Sequence, residues 1–229
     1  IYRDHVVVYN IQYKSNLDKV NAQTKVSKFI YTELVSQQKI NFISKNVEKW
    51  SRDLQLGNSL QNEDMESYFQ LIFKSTISPK HRNFQFRLLH RILVTNKDLK
   101  LWNIDDNELC TFCGNEVETI CHLLWNCMYS NSVWNQLFDW IKEKTNIDVV
   151  FSKKEVLLGI TFDNMMVLNC LFVIVKQYIY ASRCLKQIPE FRQALNKIKY
   201  YKSVEKYIAV KNHKINKHDE KWLLFNDLL

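Results

Sequence analysis

Residues 110–141 read CTFCGNEVETICHLLWNCMYSNSVWNQLFDWI. The first part spells C-x2-C-x8-H-x4-C through Cys110, Cys113, His122 and Cys127. Two thiols separated by two residues chelate one tetrahedral ion from a tight turn, and Gly114 permits the backbone to reverse behind them. Three thiolates and one imidazole fill every position of a tetrahedral Zn2+, leaving none for water, so the expected site is structural and not hydrolytic. The competing reading, ordinary buried cysteines, requires the Cys pair and the His spacing to coincide by chance. Cys121 stands beside His122 and leaves the fourth ligand open between the two. Residues five apart lie about 140° from each other on an ideal helix, so regular helix is not expected to run unbroken from His122 to Cys127. Immediately afterwards Val133, Trp134, Leu137, Phe138 and Ile141 form an apolar stripe at helical spacing.

The rest of the sequence supports a mainly α architecture around this CCHC knuckle. Only three glycines and two prolines punctuate 229 residues, too few for the many tight turns of a sandwich or a doubly wound sheet. Val6-Val7-Val8-Tyr9 reads as one short strand near the N-terminus. Val26, Phe29, Ile30 and Leu34 follow a helical period, as do Val47 and Trp50. Ser78-Pro79 opens a helix expected to continue through Thr95, and further helices are expected near 164–186, 190–210 and 218–228. Trp102, Phe112, Trp125 and Trp134 are expected to bury the metal site. The longest apolar run, Met165 to Val175, is well short of the roughly 18 residues that suggest a bilayer span, so no membrane association is expected. The opening Ile1-Tyr2-Arg3-Asp4 lacks an initiator Met and a leader and reads as an internal start within a longer chain. Six cysteines, two at metal-ligand spacing, point to a reducing compartment.

Charge is segregated. Residues 74–100 hold seven cations against Asp98 alone, and residues 183–221 hold eleven against four acids. Between them, residues 105–163 carry ten acids and four lysines. Asp105, Asp106, Glu108, Glu116 and Glu118 crowd the knuckle, so it should repel phosphate while the flanking helices attract it. On a helix from Pro79, Lys80, Arg87 and Arg91 fall within about 40° and make the expected nucleic-acid-binding stripe. Phe84 at its border is expected to be core in preference to a base-stacking platform. Lys199, Lys202 and Lys206 form a second stripe, expected to be simply solvated.

Asn83-Phe84-Gln85-Phe86-Arg87-Leu88-Leu89-His90, the stretch from Glu118 to Cys127, and Val133-Trp134 together resemble the zinc-binding region of LINE-type (non-LTR) retrotransposon reverse transcriptases. Glu48-Lys49-Trp50 and Leu157-Leu158-Gly159-Ile160 are similar to the same C-terminal part. The resemblance maps the family's ligands onto Cys110, Cys113, His122 and Cys127. It implies a flank from an upstream polymerase at 1–57, a zinc-binding domain at 58–145 and a basic helical region at 146–229. It further implies a non-catalytic accessory domain that helps a polymerase hold RNA or DNA, with nucleic acid and that polymerase as partners. A scaffold that docks on the polymerase without touching phosphates is the alternative. The location implied is intracellular, in the nucleus or a cytoplasmic ribonucleoprotein. Asp105-Asp106 follows Asn103-Ile104 and lacks the aromatic-x-Asp-Asp setting of a polymerase palm, so no catalytic residue is expected.

Overall fold

The computed structural model describes residues 45–57, 60–146, 150–162 and 165–228. The strand expected at Val6–Tyr9 and the stripe from Val26 to Leu34 lie outside the described residues. Nine α-helices occur among the described residues: α1 Lys45–Asp53, α2 Asn62–Ser75, α3 Pro79–Leu89, α4 Asn96–Leu101, α5 Met128–Thr145, α6 Lys153–Leu157, α7 Met166–Cys184, α8 Phe191–Lys211 and α9 Ile215–Trp222. A π-helical turn spans His122–Asn126, and a 3-10 segment, Leu223–Leu228, follows α9. The fold is mainly α, with a lone antiparallel bridge between Leu109 and Val117 as its extended pairing among the described residues. None of these helices is long and apolar enough to cross a membrane.

Local chemistry sets the helix starts. Ser78 caps α3 by accepting from the His81 N–H, with Pro79 in the first turn, where its missing donor does no harm. Thr95 with Asp98 and Ser152 with Glu155 form capping boxes for α4 and α6. The helix expected from Pro79 to Thr95 instead divides after Leu89. There Arg91 takes a left-handed φ of 56°, while the N–H groups of Arg91 and Ile92 donate to the carbonyls of Leu88 and Arg87. This is a Schellman stop with arginine where glycine is usual, and a left-handed L-residue costs about 1 kcal/mol. The Arg91 guanidinium offsets that cost by pairing with Asp53 and lying 4.5 Å from the centre of the Trp50 ring.

Residues 44–229 form one compact unit. Helix α7 is its axis: residues 167–176 are all buried, and the helix touches α2, α3, α6, α8, α9 and the π turn. Two of its buried polar side chains are satisfied by backbone. Asn169 accepts from the Ile160 N–H and donates to the Ile160 carbonyl, both at 2.8 Å. Lys176 is fully buried and donates to the Leu157 carbonyl at 2.9 Å. Burial alone pushes the Lys176 pKa well below the ordinary lysine value. Helix α1 is held by Trp50, whose indole N–H donates to the Leu89 carbonyl at 3.0 Å.

A lysine whose folded pKa is depressed takes up its proton more readily in the unfolded chain. The penalty on folding therefore acts below the unfolded lysine pKa of about 10.4 and fades as pH rises from the depressed folded value toward it. The Leu157 carbonyl also accepts from Gln85 at 3.0 Å, so replacing the amine leaves that acceptor bonded. Lys176→Met is expected to stabilise the protein at pH 7 by on the order of 1 kcal/mol. In urea unfolding the advantage should shrink as pH is raised toward 10; a destabilised variant with an unchanged pH profile would contradict this.

Candidate metal centre

The bridge between Leu109 and Val117 closes a turn in which the Gly114 N–H donates to the Cys110 carbonyl at 2.8 Å. Gly114 sits at φ 67°, a conformation that disfavours any side chain. Cys110 and Cys113 project from this turn, and the π turn carries His122. Cys127 then leaves helical geometry at φ −59°, ψ 132° before α5 begins. The expected interruption between His122 and Cys127 is therefore present, as a widened turn followed by an extended residue.

The four donor atoms of Cys110, Cys113, His122 and Cys127 all lie within 4.8 Å of one another. The Cys110 and Cys127 sulfurs are 3.8 Å apart, and the Cys113 sulfur is 3.4 Å from His122 Nε2. A tetrahedron built on Zn–S near 2.3 Å and Zn–N near 2.0 Å has edges of about 3.8 Å for S–S and about 3.5 Å for S–N. The donor set thus fits Zn2+ in both chemistry and size. The hydrogen bond that Cys110 donates to Cys127 raises the Cys110 thiol pKa and lowers that of Cys127, and a bound Zn2+ would displace the thiol protons.

Beyond the four donors, a carboxylate oxygen of Glu116 lies 3.0 Å from His122 Nδ1, within ion-pair distance but without hydrogen-bond geometry, and is the nearest acid to the ring's outer nitrogen. Cys121 points elsewhere: its sulfur is 3.8 Å from an Asp53 carboxylate oxygen, outside the cluster. Phe112 and Trp134 are buried as cover, and Trp125 is partly buried against the core. Trp102, expected to join them, is instead 54% exposed because α4 ends at Leu101 and turns it outward.

Glu118, one of the acids expected to crowd the knuckle, has no exposed surface. Its carboxylate accepts from the Asn96 N–H at 2.9 Å, the Thr111 N–H at 2.8 Å and Arg183 Nε at 2.9 Å. It thereby joins the start of α4, the cysteine turn and the end of α7. No periodic signal separates it from Glu116, because residues two apart share a face in an extended segment; its burial is set by the tertiary partners Asn96, Thr111 and Arg183.

The cationic stripe comes out differently from the expectation. Lys80 is exposed on α3, and Arg87 is half-buried with a 3.4 Å bond to the Ile92 carbonyl. Arg91 lies beyond the helix and is taken up by Asp53 and Trp50, so the three do not form one row. Phe84 is buried, as expected. Lys202, expected in solvent, is buried and donates to the Phe225 carbonyl at 2.6 Å, while Lys199 and Lys206 are exposed.

Cys113→Ser is expected to lose bound zinc in native mass spectrometry, and Cys121→Ser to keep it. Glu116→Ala should weaken zinc affinity about 10- to 100-fold in a competitive chelator titration. Retention of zinc by Cys113→Ser with loss by Cys121→Ser would transfer the ligand role. Glu118→Gln should destabilise the fold by about 3–5 kcal/mol in urea, because Arg183 keeps its charge without its counter-ion.

No curated protein matches the chain significantly. The segment that begins just before α2 and ends within α5, residues 57–134, contains all four donors and matches the family model described as zinc-binding in reverse transcriptase.

Proposed function

We propose that zinc bound by Cys110, Cys113, His122 and Cys127 fixes an accessory, non-catalytic module of a LINE-type reverse transcriptase, and that the module helps hold RNA or DNA. The observation that carries the nucleic-acid reading is a row of exposed cations on α8. Arg192, Lys199 and Lys206 recur every seven residues, are exposed, and form no ion pair among the described residues. At 1.5 Å per residue they are spaced by about 10.5 Å along one face, and so present a straight row to a phosphate backbone. Lys80 and Arg87 on α3 add a shorter pair; Arg91 is withdrawn from this role by its bond to Asp53.

A zinc site of three thiolates and one imidazole is net negative, and Glu108 and Glu116 stand near it, so phosphate contact belongs to the helices. The second reading is a scaffold that docks on the polymerase body. It is favoured by Leu101, Trp102 and Ile104, which stand 76%, 54% and 68% exposed just ahead of the cysteine turn.

Salt dependence separates the two, because each phosphate contact contributes about 0.7 to 0.9 to the slope of log affinity against log salt. Changing Arg192, Lys199 and Lys206 together to Gln should flatten the slope by roughly two units, and Lys80 with Arg87 by roughly one and a half. Thermal stability should change little, since exposed cations contribute little to it. An unaltered slope in both variants would leave the docking scaffold as the better account.

A further inference from the structure

Where α2 ends against α8 and α9, the surface is concave. A cavity of about 370 Å³ is bounded by Lys74, Ile77, Ile208, Asn212, Lys214 and Lys217, with Glu205, His218 and Lys221 in its wall. That volume lies at the lower end of the range that holds small organic ligands, enough for one nucleotide unit but not for a duplex. A second concavity of about 540 Å³ shares Lys214 and Lys217 and adds His213, so the cationic hollow continues past the first cavity.

The charges around this cavity are unequal. Glu205 is already bound internally: it accepts from Lys221 at 2.8 and 3.1 Å and from the Trp222 indole at 3.0 Å. Asp219 lies 3.0 Å from His218 Nδ1. Lys74, in the last turn of α2, and Lys214 and Lys217, at the start of α9, are exposed and have no acidic partner among the described residues. Three lysines converging on one hollow repel one another, and a bound anion relieves that repulsion. The floor between them is apolar, from Ile77, Ile208 and Ala209.

We propose that this cavity seats the terminal phosphate monoester of a nucleotide, with Lys74, Lys214 and Lys217 holding the dianion and the sugar or base resting on Ile77 and Ile208. A monoester carries nearly twice the charge of a backbone diester at neutral pH, which suits three convergent ammonium groups better than a strand passing through. The polynucleotide bearing that end would leave along the adjoining hollow past His213. The inference rests on the nucleic-acid reading for the source of the nucleotide, but the monoester chemistry is independent of the α8 row.

The test uses the full chain with zinc bound and four probes: a nucleoside 5′-monophosphate, the same nucleoside without phosphate, and one oligonucleotide with either a 5′-phosphate or a 5′-hydroxyl. The monophosphate and the 5′-phosphorylated oligonucleotide should shift the amide resonances of Asn216, Lys217 and His218 and the indole resonance of Trp222, whereas the nucleoside should not. Lys214→Gln with Lys217→Gln should weaken the phosphorylated probes about tenfold or more and equalise the two oligonucleotides. Lys199→Gln should leave that end preference intact. If the monophosphate leaves these resonances unmoved and the two oligonucleotides bind equally, the proposal is overturned, even where steep salt dependence sustains the nucleic-acid reading. If the monophosphate binds but neither oligonucleotide does, the seat stands as a nucleotide site and the nucleic-acid reading falls.

Discussion

Helix α7 has no solvent side along residues 167–176, and this constraint organises everything around it. A helix apolar all round is stable in water only when neighbours cover every face. Covering it takes α2 and α3 on one flank, α8 and α9 on another, and the π turn with its metal ligands beyond. Two of the polar side chains it buries, Asn169 and Lys176, fasten the short segment at 157–160. Gly159 there lies at φ 126°, a conformation that side chains rarely adopt, and a Cβ would come within 3.2 Å of the Leu71 side chain, so the tight segment requires its glycine.

The cysteine turn is joined to this axis by charge as well as by packing. Glu118 carries a full carboxylate into the interior, where it is tolerable only because two backbone donors and the Arg183 guanidinium meet it. Metal and carboxylate therefore act on the same few residues from opposite sides. The ion fixes the four donors to one another, and Glu118 fixes their turn to α4 and α7. Of the acids around this corner, Glu118 never meets solvent and its charge is matched by Arg183.

The metal donors and the helical class were legible in the sequence because both rest on short-range rules, ligand spacing and apolar periodicity. Cys121 illustrates the limit: its neighbour His122 enters the cluster while it faces Asp53, a distinction set by the π turn. Helix ends were less legible for a definite reason. Gln55, Arg91, Asn103, Lys186 and His213 all adopt left-handed φ after helices, in positions where glycine normally announces the stop. With so few glycines the sequence gives no sign of those stops, and the helix read as continuing to Thr95 ends at Leu89. Domain limits at 57 and 145 rest on the resemblance.

Charge is the property that sequence alone overstates most. Every cation counts equally in a net charge, yet in the folded chain Arg82 bonds the Thr76 and Phe73 carbonyls, and Arg91 and Arg183 pair with acids. Lys176, Lys202 and Lys221 are likewise drawn onto interior carbonyls or Glu205. A long amphipathic side chain does this readily, because its stem packs with the core while its head finds a backbone acceptor. Other cations stay exposed, among them Lys49, Lys97, Lys144 and Lys186, but the groupings that face a common direction are fewer: the row on α8 and the lysines around the hollow at the end of α2. Binding of phosphates depends on cations whose field reaches solvent, so these places, and not the arithmetic excess of lysine and arginine, set where an anionic partner can be held.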